Sequence, residues 1–247
     1  MPMMQLFGLI GFPLGHSFSK QYFSQKFTVE GITNARYELF PLPHIQEFPA
    51  LCAQNPQLKG LNVTIPHKET VIPYLYELDE EAHRVGAVNT IAFLPDGRTK
   101  GYNTDVYGFE QTLLPLLQPH HTHALVLGTG GAAKAVIHVL SKLGLPFLQV
   151  SRQPGAGQLH YRQIDKELLQ QYTVVVNTTP LGMYPNTQQY PNLPYQHADS
   201  RHLFYDLVYN PPQTLFLAKA AQQGATTQNG LAMLHLQAQR AWQIWNS

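Results

Sequence analysis

The chain of 247 residues sets 16 Lys and Arg against 15 Asp and Glu, a formal net charge of +1 with no block of like charge, which argues against a nucleic-acid surface or an anchor to acidic membranes. Hydrophobic residues at 44% exclude wholesale disorder, and Cys52, the only cysteine, allows no intrachain disulfide framework, which fits a reducing cytoplasm. The apolar start has no positively charged region ahead of it and no run long enough to span a bilayer, so it reads as a buried strand.

From residue 5 onward, short apolar runs alternate with longer helix-like segments, the pattern of an α/β protein with helical crossovers. Strands are expected over 5–10, 35–40 and 58–64, and helices over 17–30 and 44–52. Pro66 is expected to open a helix, because a proline in the first turn loses no useful donor. Residues 89–94 and 98–102 flank Pro95-Asp96-Gly97, a hairpin signal, and a helix follows over 105–117. A second alternating unit starts at His123, with strands over 124–127, 147–151, 174–177 and 203–207 and a helix over 131–143. Near the end, Leu231, Leu234, Ala238, Ala241, Trp242 and Trp245 recur at helical spacing and form an apolar stripe. That helix is expected to pack back on the first unit. The domains are then residues 1–103 with 229–247, and 104–228. His120, His121, His123 and His138 crowd a polar loop without a neighbouring Cys or carboxylate, so no metal site is expected.

Gly128-Thr129-Gly130-Gly131-Ala132-Ala133-Lys134-Ala135 follows an apolar strand and opens a helix, the context a dinucleotide fingerprint requires. Gly128 permits a tight turn, and Gly130 and Gly131 let the backbone approach a pyrophosphate at the helix N-terminus. Ala132 and Ala135 keep helix and strand close. At the end of the next strand, Ser151-Arg152 stands where a carboxylate would hold the ribose of NAD. A guanidinium there suits the 2′-phosphate of NADP.

Three polar clusters sit at the ends of apolar elements in the first unit: residues 11–19, residues 62–68, and Asn89-Thr90 with Asn103-Thr104-Asp105. Strand carboxyl ends in open α/β sheets converge on one crevice, and this inventory of hydroxyls, amides, a cation and an anion suits a small polyhydroxy acid. The positive end of its helix would disfavour the Lys68 ammonium while a nearby Asp105 would favour it, an opposition that keeps a lysine available for proton transfer.

These residues resemble the shikimate dehydrogenase family, which reduces 3-dehydroshikimate with NADPH. The likeness covers nearly the whole chain. It rests on Gly11-x-Pro13-x-x-His16-Ser17-x-Ser19, Asn62-Val63-Thr64-x-Pro66-x-Lys68, Gly86-Ala87-Val88-Asn89-Thr90, Gly101-x-Asn103-Thr104-Asp105-x-x-Gly108 and the glycine turn. Asn177-x-Thr179-x-x-Gly182-Met183, Asp206-x-x-Tyr209-x-Pro211 and Gly230-x-x-Met233-Leu234-x-x-Gln237 complete it. The resemblance implies a substrate domain, completed by the terminal helix, and a Rossmann-like NADP domain. It further implies that Ser17 and Ser19 hold the substrate carboxylate with help from Tyr209, and that Asn62, Thr64, Asn89 and Gln237 bind ring hydroxyls or order the site. Lys68 and Asp105 would form the catalytic pair. Gly128, Thr129, Gly130, Gly131, Ala132, Ser151, Arg152, Thr178, Gly182, Met183 and Gly230 would line the cofactor. The partners implied are shikimate or 3-dehydroshikimate and NADP, with no nucleic acid or membrane, for a cytoplasmic monomer or homodimer. The rival readings are a quinate or quinate/shikimate dehydrogenase using NAD, and a regulatory module that binds dinucleotide without turnover.

One departure stands out. The family's adenosine loop carries a second basic residue three positions after the first, whereas here Arg152 runs into Gln153-Pro154-Gly155-Ala156. A single guanidinium is expected to discriminate against NAD less strongly than two basic side chains.

Overall fold

The computed structural model describes residues 4–15 and 18–247, which fall into two units, Met1–Thr104 with Leu236–Ser247, and Asp105–His235. Ser17 lies outside the described residues.

The first unit is built on β1 (Gln5–Gly11), whose residues alternate between two apolar clusters as the two-residue period of a strand requires. Leu6 and Ile10 face one cluster and Phe7 and Leu9 the other. After α1 (Phe18–Val29), which buries Phe23 and Phe27, β2 (Ala35–Pro41) pairs parallel with β1. A 3-10 turn at Ile45–Glu47 leads into α2 (Phe48–Gln54), and β3 (Leu58–Val63) pairs parallel on the other side of β1. The helix expected at Pro66 is a single turn, α3 (His67–Thr70), with Pro66 as its N-cap and a 3-10 turn at Ile72–Tyr74 behind it. So short a helix has little macrodipole, which removes most of the dipole effect expected at Lys68. β4 (Glu77–Leu78) follows, then α4 (Glu80–Val85), capped by Asp79, whose Oδ1 accepts from Ala82 N–H at 2.8 Å. β5 (Thr90–Phe93) and β6 (Thr99–Tyr102) form the expected hairpin, closed by Leu94 N–H on the Arg98 carbonyl at 2.8 Å. The sheet order is β2-β1-β3-β5-β6-β4, and β5 runs antiparallel to both its neighbours.

The second unit opens at Asp105, the second residue of α5 (Thr104–Leu113). The expected helix to residue 117 tightens into a 3-10 turn at Leu114–Leu116, because Pro115 has no N–H with which to extend an α-helix. β7 (Ala124–Leu127) is buried along its whole length, as a central parallel strand must be, and α6 (Gly131–Lys142) packs Ala133, Ala135, Val136, Val139 and Leu140 inward. There follow β8 (Phe147–Ser151), β9 (Gln158–His160), α7 (Lys166–Gln171), β10 (Val174–Asn177), β11 (Leu203–Asp206), α8 (Leu215–Ala221) and β12 (Thr226–Gln228). All pairings are parallel in the order β12-β11-β10-β7-β8-β9. The strand order reverses between β7 and β10, and ligands of doubly wound sheets bind outside the strand carboxyl ends at that place. His120 and His121 both direct Nε2 to the Arg201 carbonyl, at 3.1 and 3.0 Å, so main-chain bonding occupies them.

The terminal helix α9 (Leu231–Trp245) contributes Ala238, Trp242 and Trp245 to the Phe7, Phe23, Phe27 and Tyr37 cluster of the first unit. Trp245 fits only because Gly60 has no side chain, since a Cβ there would stand 2.2 Å from the indole nitrogen. The apolar stripe is displaced at its start: Leu231 is exposed and Met233 is buried. No helix among the described residues is long and apolar enough to cross a membrane.

Candidate active site

In the first unit, the polar residues at the strand ends join into one hydrogen-bonded array. Tyr37 hydroxyl, bonded to Ser19 and buried, donates to Asn62 Oδ1 at 2.7 Å, and burial pushes its phenol pKa upward. Asn62 Nδ2 donates to Thr90 Oγ1 at 3.2 Å and to the Asn89 carbonyl at 3.4 Å. Asn89 Oδ1 accepts from Thr104 N–H at 2.7 Å, Thr104 Oγ1 at 3.1 Å and Thr90 Oγ1 at 3.2 Å. Asn103 donates to the Ala87 carbonyl at 2.8 Å. An amide that receives three donors on one oxygen is held rigidly, and its nitrogen is aimed by the same bonds.

Main-chain bonds bring further expected residues beside this array. Val63 N–H bonds the Asn89 carbonyl at 2.9 Å, and Val88 N–H bonds the Lys68 carbonyl at 2.7 Å, so Lys68, half-buried on α3, is tied to the segment that carries Asn89. Thr64 lies against Gly11, where a Cβ would meet its methyl at 2.4 Å, and Phe12 N–H reaches the Ile65 carbonyl at 2.9 Å. The loops after β1 and β3 therefore run side by side. Gln237, half-buried midway along α9, is not joined to the array by a side-chain hydrogen bond among the described residues. Tyr37 was missed from sequence, since its place beside Asn62 depends on strand pairing.

In the second unit, Gly128 has φ +117°, and a Cβ there would stand 2.5 Å from Thr178 Oγ1. Thr178 in turn donates to the Leu127 carbonyl through N–H at 2.9 Å and Oγ1 at 2.7 Å, which seats the ends of β7 and β10 together at the switch point. Gly130, the N-cap of α6, is exposed with open space where a Cβ would be, and no side chain caps the helix. The first N–H groups of this twelve-residue helix therefore face an open cradle that fits a pyrophosphate. Thr129 is exposed beside it. At the end of β8, Ser151 Oγ bonds both the N–H and the carbonyl of Gln153 at 3.1 Å, holding Arg152 between them. Arg152 is exposed, no carboxylate accompanies it over residues 151–157, and its charge offsets part of the burial that raises the Tyr161 phenol pKa. That donor set fits the 2′-phosphate of NADP better than the bare ribose of NAD.

A buried carboxylate ties three loops of this unit together. Asp206 Oδ1 accepts from Asn177 Nδ2 at 2.9 Å and from Val208 N–H at 3.0 Å, and its Oδ2 accepts from Thr214 Oγ1 at 2.6 Å. Burial pushes this carboxyl up to about 6 despite the three donors. Tyr184 N–H bonds the Asn210 carbonyl and Gly230 N–H the Val208 carbonyl, both at 3.1 Å. Gly182, at φ +90°, lies against Thr214, and Gly230 lies against the Leu207 carbonyl, 2.2 Å from where a Cβ would be. Thr178, Gly182, Tyr209 and Gly230 thus sit on one bonded cluster of loops, and Met183 is exposed on it. In the sequence, Asp206 stands out only as a motif position. The available signal was a charge ending the apolar run Leu-Phe-Tyr. Asp105 is buried in the first turn of α5, where a carboxylate suits the helix N-terminus.

Residues 9–91 match the family model described as the shikimate dehydrogenase substrate binding domain. The shikimate dehydrogenase (NADP(+)) of Oleidesulfovibrio alaskensis is 41% identical over 255 residues, covering 98% of this chain and 89% of the relative. The crystal structure of shikimate dehydrogenase from Aquifex aeolicus superposes with a TM-score of 0.87 at 34% identity, covering 98% of this chain and 92% of that one. The Thermus thermophilus enzyme, solved in complex with NADP(H) and shikimate, gives 0.85 at 31% identity over 98% and 93%. An array of amides and hydroxyls at the strand ends of one unit and a dinucleotide turn in the other are thus accompanied by likeness along the whole length, and the chain belongs to the shikimate dehydrogenase family.

Proposed function

We propose that this chain is an NADP-dependent oxidoreductase that interconverts shikimate and 3-dehydroshikimate. The observation that carries the reading is likeness over 98% of the chain to an enzyme solved with both NADP(H) and shikimate. In that reading the first unit holds the ring acid. Ser17 and Ser19 take its carboxylate with Tyr209, while Asn62, Thr64, Asn89 and Gln237 address or order its hydroxyls. The Asn89 amide, locked through its oxygen, presents its nitrogen without an entropic cost at binding.

Bound NADP supplies the nicotinamide that exchanges hydride with the ring carbon. Lys68 exchanges the accompanying proton: as the amine it accepts from the hydroxyl under oxidation, and as the ammonium it donates to the carbonyl oxygen under reduction. Asp105 accepts a hydrogen bond in the same region. Thr129, Gly130, Gly131 and Ala132 take the pyrophosphate, Ser151 and Arg152 the adenosine end, and Thr178, Gly182, Met183 and Gly230 the nicotinamide end. Consumption of NADPH and the single cysteine suit the cytoplasm, as a monomer or homodimer.

The test is absorbance at the NADPH band with shikimate, then quinate, as the only added substrate. Reduction of NADP⁺ by shikimate is the expected result. Turnover confined to quinate with NAD⁺ moves the assignment to a quinate dehydrogenase, and no turnover with either leaves a binding module.

A further inference from the structure

The adenosine loop is bonded back to the glycine turn through a file of hydrogen bonds. Gly155 N–H donates to Gln158 Oε1, Gln158 Nε2 donates to Gln149 Oε1, and Gln149 Nε2 donates to the carbonyl of Gly128, each at 2.9 Å. Gln149 and Gln158 stand directly opposite one another in the β8–β9 register, so the pair is set by strand pairing. The direction of the file is forced. Turning over the Gln149 amide would put oxygen against the Gly128 carbonyl, and turning over Gln158 would put an NH₂ group against the Gly155 N–H. Donors aligned head to tail polarise one another, so the links reinforce each other. A second bond, Gln158 N–H to the Gly155 carbonyl at 3.2 Å, closes the turn at its far end.

The loop needs such a device. Residues 152–157 are all exposed and include Pro154, Gly155 and Gly157, the last at φ +75°, so little packing defines their path. Ordering such residues costs backbone entropy that packing does not offset here. Arg152 is bracketed by the Ser151–Gln153 bonds on one side and by the glutamine file on the other. We propose that the Gln149–Gln158 pair is the specificity-determining strut of the cofactor site: it fixes the Arg152 loop relative to the pyrophosphate turn, so that one pre-positioned guanidinium selects NADP over NAD without a second basic side chain. The inference rests on the NADP reading above.

The experiment measures binding directly, by titration calorimetry of the full chain with NADP⁺, NAD⁺ and 2′,5′-ADP. Q158L should weaken NADP⁺ and 2′,5′-ADP about ten-fold, the worth of one or two hydrogen bonds, and NAD⁺ less than two-fold. In an R152A background the same substitution should change 2′,5′-ADP binding by less than two-fold, because the strut acts through the guanidinium it positions. Q158N, one methylene too short to span both contacts, repeats the test if Q158L does not fold. Equal losses for NADP⁺ and NAD⁺, an unmoved selectivity ratio, or full additivity with R152A would each overturn the strut. A parent protein that binds NAD⁺ but not NADP⁺ would overturn the NADP reading and the strut with it.

Discussion

At the scale of single residues, Lys68 and Asp206 make opposite kinds of prediction. Replacing Lys68 with Ala removes the proposed proton carrier, so kcat should fall by about 10²- to 10⁴-fold with a modest change in KM, read in steady-state assays. Unchanged kcat would remove Lys68 from the mechanism. Asp206 concerns stability. Its folded pKa of about 6 lies above the ordinary 3.8, so between those values the folded protein keeps a proton that the unfolded chain has released. Its contribution is full below that window and is lost as pH rises through it, by on the order of 3 kcal/mol. D206N has no such titration and presents an NH₂ group, which cannot accept, where Thr214 Oγ1 bonds the carboxyl oxygen. The variant should therefore be less stable than the parent at pH 4, with the deficit shrinking toward pH 7. Thermal melts of both proteins across that range check the sign, and a deficit that grows with pH would contradict it.

At the scale of elements, the glycine turn is where a side chain is least tolerated. Gly128→Ala adds a Cβ at φ +117° and 2.5 Å from Thr178 Oγ1, so it should cost about 1–3 kcal/mol in urea unfolding and weaken NADP⁺ binding measurably. This turn was legible in the sequence because a buried apolar strand, glycines and an apolar-faced helix followed one another without interruption. The elements that were not read are short and carried by their neighbours. β12 is Thr-Thr-Gln, with no apolar residue, and it exists because β11 offers it an edge. β4 has two residues, and α4 and α7 have six each, too few turns for a hydrophobic period to declare itself. The same limit applies to the site. Asn62, Thr64, Lys68 and Asn89 were found at the ends of recognisable strands, whereas Tyr37 beside Asn62 and Gln149 opposite Gln158 follow from register, which local pattern does not encode.

At the scale of the whole molecule, the first unit is discontinuous in sequence and the second is not. Trp245 sets its ring, tilted, 5.0 Å from Phe7 and 5.3 Å from Phe23 by centroids, and its Nε1 donates to the Ile91 carbonyl at 2.9 Å. Trp245→Ala should cost about 3 kcal/mol by lost packing and an orphaned carbonyl. NADP⁺ affinity should stay within two-fold, since the second unit has its own apolar core. Chemical denaturation and titration calorimetry on one preparation test both halves, and parallel loss of both would refute the separation. The discontinuity also reverses the usual order of events on the ribosome. Residues 1–104 emerge before residues 105–235, yet the aromatic face of Phe7, Phe23 and Phe27 waits for residues 236–247 to cover it. At typical elongation rates of about 5–20 residues/s the intervening segment takes roughly 7 to 26 s to synthesise. For that interval the half-finished module keeps its aromatic face uncovered while the later-born one closes, the kind of apolar surface that holdase chaperones shield during translation.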